Sequence, residues 1–326
     1  MPLVSFVVMS YNFRRFLPAS LDSILRQTGD KDFEVIVVDD ASPDHSAYVA
    51  RAYADPRIRL IAHEQNLGSG ATLADGLRAA RGAYVARIDG DDRYRPGYLE
   101  ATVPILEQYP EVGLVYGDVA AMDEWGAIQE DPWTGIRSRE THGGRDFKGY
   151  EYISQIKENV IPAPTIIARR EAWADTLPIP YDFAFRDWYL NLRIARRWQL
   201  YYLARTLADY RIHGQGLHLK LKMVRDRSFE STVLRTLDQV FSEDDWAVEK
   251  GQIRRSVYAG AYLGFGDHYR GLNMLADARR CYVKALLIRP STAAAPHLAK
   301  GILATLFPRA WERARSLARR APAGQQ

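Results

Sequence analysis

The sequence predicts an α/β protein with a mostly parallel central sheet, followed by an all-α region. Over the first half of the chain, short β-branched apolar runs alternate with segments of helical spacing, and two of those runs end in clustered aspartates. Strand signals then stop near Lys220. Strands alternating with helices imply parallel pairing through right-handed crossovers. A chain of 326 residues, 47% hydrophobic and 26% charged, can bury a large core and accommodates two units. We expect them at 1–218 and 219–326.

Leu3 to Met9 is a valine-rich, almost wholly apolar run, as expected of a strand covered on both faces. Ser10-Tyr11-Asn12 reads as a loop. Phe16, Leu17, Leu21, Ile24 and Leu25 then recur at helical spacing until Gly29 breaks the pattern. A second strand, Phe33 to Val38, ends in Asp39-Asp40-Ala41-Ser42-Pro43. Next come a strand at Ile58 to Ala62, a helix at Leu73 to Ala80, a strand at Tyr84 to Ile88 and a helix at Tyr98 to Leu106. Val112 to Asp118 is a further strand, whereas Met122 to Gly149 has little periodicity and reads as loops. Leu200 to Leu203 and Leu207 to Ile212 are apolar runs, and Val224 to Phe241 and Ile253 to Leu263 read as helices.

Ligands of parallel α/β sheets bind beyond the carboxyl ends of the strands. Asp39-Asp40 and Arg87-Ile88-Asp89-Gly90-Asp91-Asp92 both fall on that edge. Carboxylates are preferred ligands of hard divalent cations, and a bound phosphate supplies further oxygens. A single acidic turn would carry no such meaning, because aspartate is common in turns; two on one edge point to function.

A net charge of +4, concentrated late in the chain, is too small to argue for nucleic acid. The single cysteine, Cys281, permits no internal disulfide. Met1-Pro2 leads directly into strand-like sequence without the pattern of a signal peptide, and no run has the roughly eighteen apolar residues of a spanning helix. The expected location is the cytoplasm.

These motifs carry a family resemblance. Phe6 to Asn12, then Val37 to Ser42, then Asn66-Leu67-Gly68, then Gly82 to Asp92 resemble, in order and spacing, the successive motifs of family 2 glycosyltransferases over the first hundred residues. The resemblance implies a GT-A fold, a nucleotide-diphosphate sugar donor with UDP or dTDP as the nucleotide, a manganese or magnesium ion, and inversion at the anomeric carbon. It implies a glycan or lipid-linked acceptor in bacterial surface polysaccharide synthesis; the loops between Met122 and Gly149, rich in Gly, Asp, Arg and Trp, read as acceptor-side.

Carried over by position, Asp39 or Asp40 accepts a hydrogen bond from the base, with Ser10, Tyr11 and Asn12 shaping the base and ribose pocket and Asn66 and Gly68 beside it. A carboxylate accepting from the ring N–H of uracil or thymine is sound chemistry. The alternative for the aspartate pair is an N-cap of the next helix. Asp89, Gly90, Asp91 and Asp92 cover the donor sugar and metal, with Asp91 and Asp92 nearest the ion. One departure stands here: relatives commonly carry Arg-Asn where this chain has Leu73-Ala74.

Asn159 to Glu171 resembles the strand and helix that close the acceptor pocket. Phe183 to Leu190 resembles the segment bearing the general base, commonly Glu-Asp; here Arg186-Asp187 gives the role to Asp187. A base is needed because a sugar hydroxyl is a competent nucleophile only as its proton leaves. The alternatives for Asp187 are a helix N-cap or a solvated neighbour of Arg186. Tyr210-Arg211-Ile212-His213 resembles the segment ending the catalytic domain. His213 is a candidate metal ligand or diphosphate contact, and Arg211 a loop brace or counter-charge.

In the C-terminal region, Tyr262-x-x-Phe265-Gly266-x-x-Tyr269 and Ala278-x-x-x-Tyr282-x-x-Ala285 resemble one tetratricopeptide unit, and a generic helical hairpin explains them equally. Lys300 to Arg320 sets Ile302, Leu303, Leu306, Phe307, Trp311 and Leu317 against six basic residues, Lys300, Arg309, Arg313, Arg315, Arg319 and Arg320. That pattern suits an anionic membrane surface at its inner face, or a terminal helix packed on the protein with its basic side in water. Ala321 to Gln326 is expected to be disordered. Two functional readings follow: a metal-dependent inverting glycosyltransferase, or a sugar-nucleotide-binding scaffold that kept the fold without turnover.

Overall fold

The computed structural model describes residues 3–27, 32–129, 138–179, 186–291, 301–302 and 304–306. The chain forms two compact units, Met1–Leu217 and His218–Gln326. In chain order the first holds β1 (Val4–Ser10), α1 (Leu17–Leu25), β2 (Phe33–Asp39), α2 (Ser46–Ala52), β3 (Ile58–Ala62), α3 (Ser69–Ala79), β4 (Tyr84–Asp89), β5 (Arg93–Tyr94), α4 (Tyr98–Gln108) and β6 (Val112–Met122). After these come α5 (Ser138–Thr141), β7 (Phe147–Gly149), α6 (Tyr152–Lys157), β8 (Ile167–Arg169), α7 (Arg170–Ala174), α8 (Arg186–Ala195) and β9 (Gln199–Arg211).

The strands form one mixed sheet in the order β3-β2-β1-β4-β8-β6-β9-β5, with β7 also on β9. The strands β3, β2, β1 and β4 run parallel, β8 is antiparallel to both its neighbours, and β6 and β9 are parallel. Every residue of β1 is buried, which is why its sequence shows no polar alternation. The lone polar residue inside it, Ser5, is satisfied: its hydroxyl donates to Glu34 Oε1 (2.7 Å) and accepts from Gly82 N–H (2.8 Å). Gly82 is required by this contact, since a Cβ there would stand 2.6 Å from the Ser5 nitrogen. Along β4, Tyr84, Ala86 and Ile88 enter the main core with Val4, Phe6 and Val8 of β1 and Leu17, Leu21 and Ile24 of α1. The period of two sends Val85, Arg87 and Asp89 to the opposite face.

Two local expectations are corrected. The two apolar runs at Leu200 and Leu207 are one strand, β9; its pairing with β6 shifts register around Gly117–Val119, and exposed Arg205 interrupts the apolar pattern there. The helix expected from Leu73 begins at Ser69, and α2 lacked a signal because only Ser46 and Ala50 of it are buried. Leu73 and Ala74 are core residues of α3, 2% and 1% exposed.

The second unit is helical: α9 (Gly214–Arg225), whose first residues belong to the first unit, then α10 (Ser228–Ser242), α11 (Ala247–Gly271) and α12 (Leu275–Ile288). The helix expected at Ile253 to Leu263 is the middle of α11, which runs on through the Tyr262–Tyr269 motif. Tyr262, Phe265 and Tyr269 pack with Ala278, Cys281, Tyr282 and Ala285 of α12. The small residue matters at Gly266, where a Cβ would lie 2.4 Å from the Tyr282 ring. Among the described residues no helix is long and apolar enough to cross a membrane. Most of the Lys300 to Arg320 pattern, all of Ala321 to Gln326, and Gly29 lie outside the described residues.

Candidate active site

Sheet register brings the two acidic clusters together. Parallel pairing sets Ser10 beside Asp39 and Met9 beside Asp89, so β1, β2 and β4 deliver their motif residues to one level of the carboxyl edge.

On the β2 side, the Asp39 carboxylate accepts from Ser10 Oγ (3.1 Å), Ser42 N (3.0 Å) and Ser42 Oγ (2.7 Å). Asp40 accepts from the amides of Leu67 and Gly68, both at 2.8 Å, and His63 Nδ1 stands 2.8 Å from it. Asn66 Nδ2 donates to the Asp40 carbonyl at 3.4 Å. Both aspartates are 2% exposed, and with about four acceptor positions per carboxylate each keeps roughly one. Neither caps α2, where Asp44 Oδ1 takes the Ser46 N–H (3.0 Å). Asp40 instead ties β2 to the entry of α3. Tyr11 is exposed, and Asn12 holds a left-handed backbone (φ 65°) with its N–H on Ser42 Oγ (3.0 Å).

On the β4 side the turn is fixed by Gly90 N–H to the Met9 carbonyl (2.8 Å) and Asp92 N–H to the Asp89 carbonyl (3.1 Å). Asp92 is 1% exposed; its Oδ1 accepts the Arg211 N–H at 2.8 Å and its Oδ2 has no partner. Asp91 Oδ2 accepts from His213 Nε2 at 2.8 Å, while Oδ1 is buried without a partner. His213 packs on Phe16 and Phe13, with centroids 5.0 and 6.1 Å away. Arg211 is a brace: Nε donates to the Asp91 carbonyl (2.7 Å) and Nη1 to those of Asp123 (3.0 Å) and Glu124 (3.2 Å).

Asp187 sits in the first turn of α8, inside the helix rather than at its cap, and is 43% exposed. Its carboxylate pairs with Arg87 Nη1, and Arg87 Nη2 donates to Asp89 Oδ2 at 3.0 Å. Arg87 joins the acid turn to α8, a role the sequence reading missed although the residue stood in the motif. The available signal was a charged residue inside an otherwise apolar strand.

Burial raises the Asp89 carboxyl to about 6, with Asp91 and Asp187 adding to the effect and Arg87 opposing it. Asp92 is pushed well above the usual carboxylate range by burial and then by Asp91 and Asp89. The Tyr210 phenol is raised by burial and then by the charges of Asp92, Asp91, Asp89 and Asp187. Burial opposes the charge on Arg87, but Asp187 and Asp89 outweigh it and hold the guanidinium cationic.

The crowding of Asp89, Asp91 and Asp92, two of them with an orphaned buried oxygen, is what a divalent cation would relieve. No group of three or more His, Cys, Asp or Glu side chains among the described residues forms a ready-made metal site.

Residues 5–173 match the family Glycosyl transferase family 2. The chain belongs to that family. As expected from the motifs, its first unit has the GT-A arrangement, a mostly parallel mixed sheet flanked by helices. Among relatives, a Mycobacterium tuberculosis protein described as uncharacterized is 31% identical over 218 residues, 66% of this chain and 60% of that one. The chain thus spans less than two thirds of that relative. The succinoglycan biosynthesis protein ExoO of Rhizobium meliloti is 41% identical over 102 residues, 31% of this chain and 29% of ExoO. The crystal structure of S. aureus TarS 1-349 shares the fold, with a TM-score of 0.59 at 16% identity over 96% of this chain and 91% of that one.

Proposed function

We propose that this family 2 member transfers a sugar from a nucleotide-diphosphate donor to a hydroxyl of a glycan or lipid-linked acceptor, with inversion, in polysaccharide assembly. The observation that carries the reading is the acidic turn Asp89–Asp92 at the carboxyl edge of the sheet, joined through Arg87 to Asp187 of α8, with unpartnered oxygens on Asp91 and Asp92. The family match and the relative named for succinoglycan biosynthesis support the reaction class and its setting.

Ser10, Tyr11, Asn12, Asp39, Asp40, Asn66 and Gly68 form the nucleotide side. One of the two aspartates accepts from the base through its remaining acceptor position. Asp89, Gly90 and Asp91 face the donor sugar and diphosphate. Manganese or magnesium, held by Asp91 and Asp92 with His213 alongside, would supply Lewis-acid neutralisation of the departing diphosphate. Asp187 takes the proton of the acceptor hydroxyl as that oxygen bonds to the anomeric carbon and the carbon–oxygen bond to the diphosphate breaks. Entry opposite the leaving group inverts the configuration. The half-open setting of Asp187 leaves it accessible to an acceptor.

A thermal-shift panel of UDP-, dTDP- and GDP-sugars, with and without manganese, tests the donor half. A ligand that binds only the native state raises its melting temperature. The expected result is a manganese-dependent shift for one nucleotide class that Asp91→Ala removes. A shift indifferent to metal and to Asp91 would overturn the assignment. Binding without any nucleotide release or transfer would favour a scaffold over an enzyme.

A further inference from the structure

We propose that Arg87 is a positioning residue that sets Asp187 in register with the donor-side carboxylate Asp89. The inference rests on the transfer reaction proposed above. Arg87 is 2% exposed in the middle of β4, where the flanking Val85, Ala86 and Ile88 are wholly buried. A guanidinium in such a place is costly unless paired, and a core that needed only volume would be served as well by an apolar side chain. Its side-chain partners are the two carboxylates, and its Nε is buried with no partner at all. The side chain is thus satisfied toward the site and left unsatisfied toward the fold.

The geometry follows from strand parity and from the shape of the group. Arg87 and Asp89, two apart on β4, project from the same face. Asp187 arrives from α8, one hundred residues later in the chain. The rigid guanidinium fork holds one carboxylate on each terminal nitrogen and so fixes their separation, which the point charge of a lysine cannot do. The acceptor's proton must leave as the donor's bond breaks, so the base and the donor-side acid require a common frame, and small misplacements of such groups are expensive in rate.

The test uses the full chain, the nucleotide sugar that gives the largest shift in the panel above and an acceptor found by product screening, reading nucleotide diphosphate release. Asp187→Asn should lower kcat by about 10² to 10⁴ with donor affinity retained. Arg87→Lys, which keeps the charge and loses the fork, should lower kcat by about 10²-fold, the loss expected of a misplaced group. The decisive readout is the double variant Arg87→Lys with Asp187→Asn, which should turn over no more slowly than Asp187→Asn alone. Losses that multiply in the double variant, or an Arg87→Lys enzyme at the wild-type rate, would overturn the role of Arg87 while leaving the transfer reading intact. A wild-type rate for Asp187→Asn would overturn both. Should Arg87→Lys melt early, the double variant compared at a temperature where both stay folded still separates the outcomes.

Discussion

Asp89→Asn is expected to stabilise the metal-free protein at neutral pH even as it harms function. Asp89 has a folded-state carboxyl at about 6 against an ordinary 3.8, a rise of about two units. Each unit is about 1.36 kcal/mol, a gross effect of about 3 kcal/mol. The side chain is 35% exposed, so solvent screening reduces it to about 1 to 2 kcal/mol. The sign follows from proton linkage. Between the two values the folded state binds more protons than the unfolded, so stability falls as pH rises from 3.8 through 6, and the full cost is present above 6. Removing the titrating group removes that dependence. Roughly a third of that cost is already present at pH 4.5, so thermal unfolding with EDTA at pH 4.5 and 7.5 should show the Asn variant gaining on the wild type by about 1 to 5 °C, at roughly 2 to 4 °C per kcal/mol for a unit of this size. A wild type that gains on the variant between pH 4.5 and 7.5 without metal would refute the electrostatic account of the turn.

Other consequences are more local. Gly82→Ala should cost about 1 to 3 kcal/mol, as overpacking does, because the new methyl meets the Ser5 backbone rather than a movable side chain; chemical denaturation with an unchanged midpoint would contradict that contact. We also expect the basic pattern from Lys300 to Arg320 to bind anionic vesicles, at about 1 kcal/mol per basic residue near the surface and weakening with salt. Co-sedimentation unaffected by deleting residues after Lys300 would rule this out.

Much of the frame was legible because strands leave short apolar runs, most plainly β1, β2 and β4, which are almost wholly buried. The apolar runs at Val4, Phe33, Ile58, Tyr84 and Val112 became β1, β2, β3, β4 and β6 within a residue or two at their starts, and their acidic ends were assigned to the correct edge. What stayed hidden depends on pairing across the chain. Nothing local announces that β8 inserts antiparallel between β4 and β6, or that a register shift joins two runs into β9. The same holds at the site. Clustered aspartates can be read in one glance along the sequence, but that Arg87 spans Asp89 and Asp187, that Arg211 laces Asp91 and Asp92 to the loop at Asp123, and that His63 lies between Asp40 and Asp75 are facts of tertiary placement.

The central claim is that Asp187 removes the acceptor's proton in a single inverting displacement. With a donor in hand from the thermal-shift panel and an acceptor found by product screening, the direct measurement is transfer rate and donor affinity for wild type and Asp187→Asn, with NMR of the anomeric configuration of the product. The account predicts an inverted linkage, donor affinity unchanged in the variant, and turnover lower by about 10² to 10⁴. Near-normal turnover by the variant would contradict the base, and a retained configuration would contradict the single displacement with it.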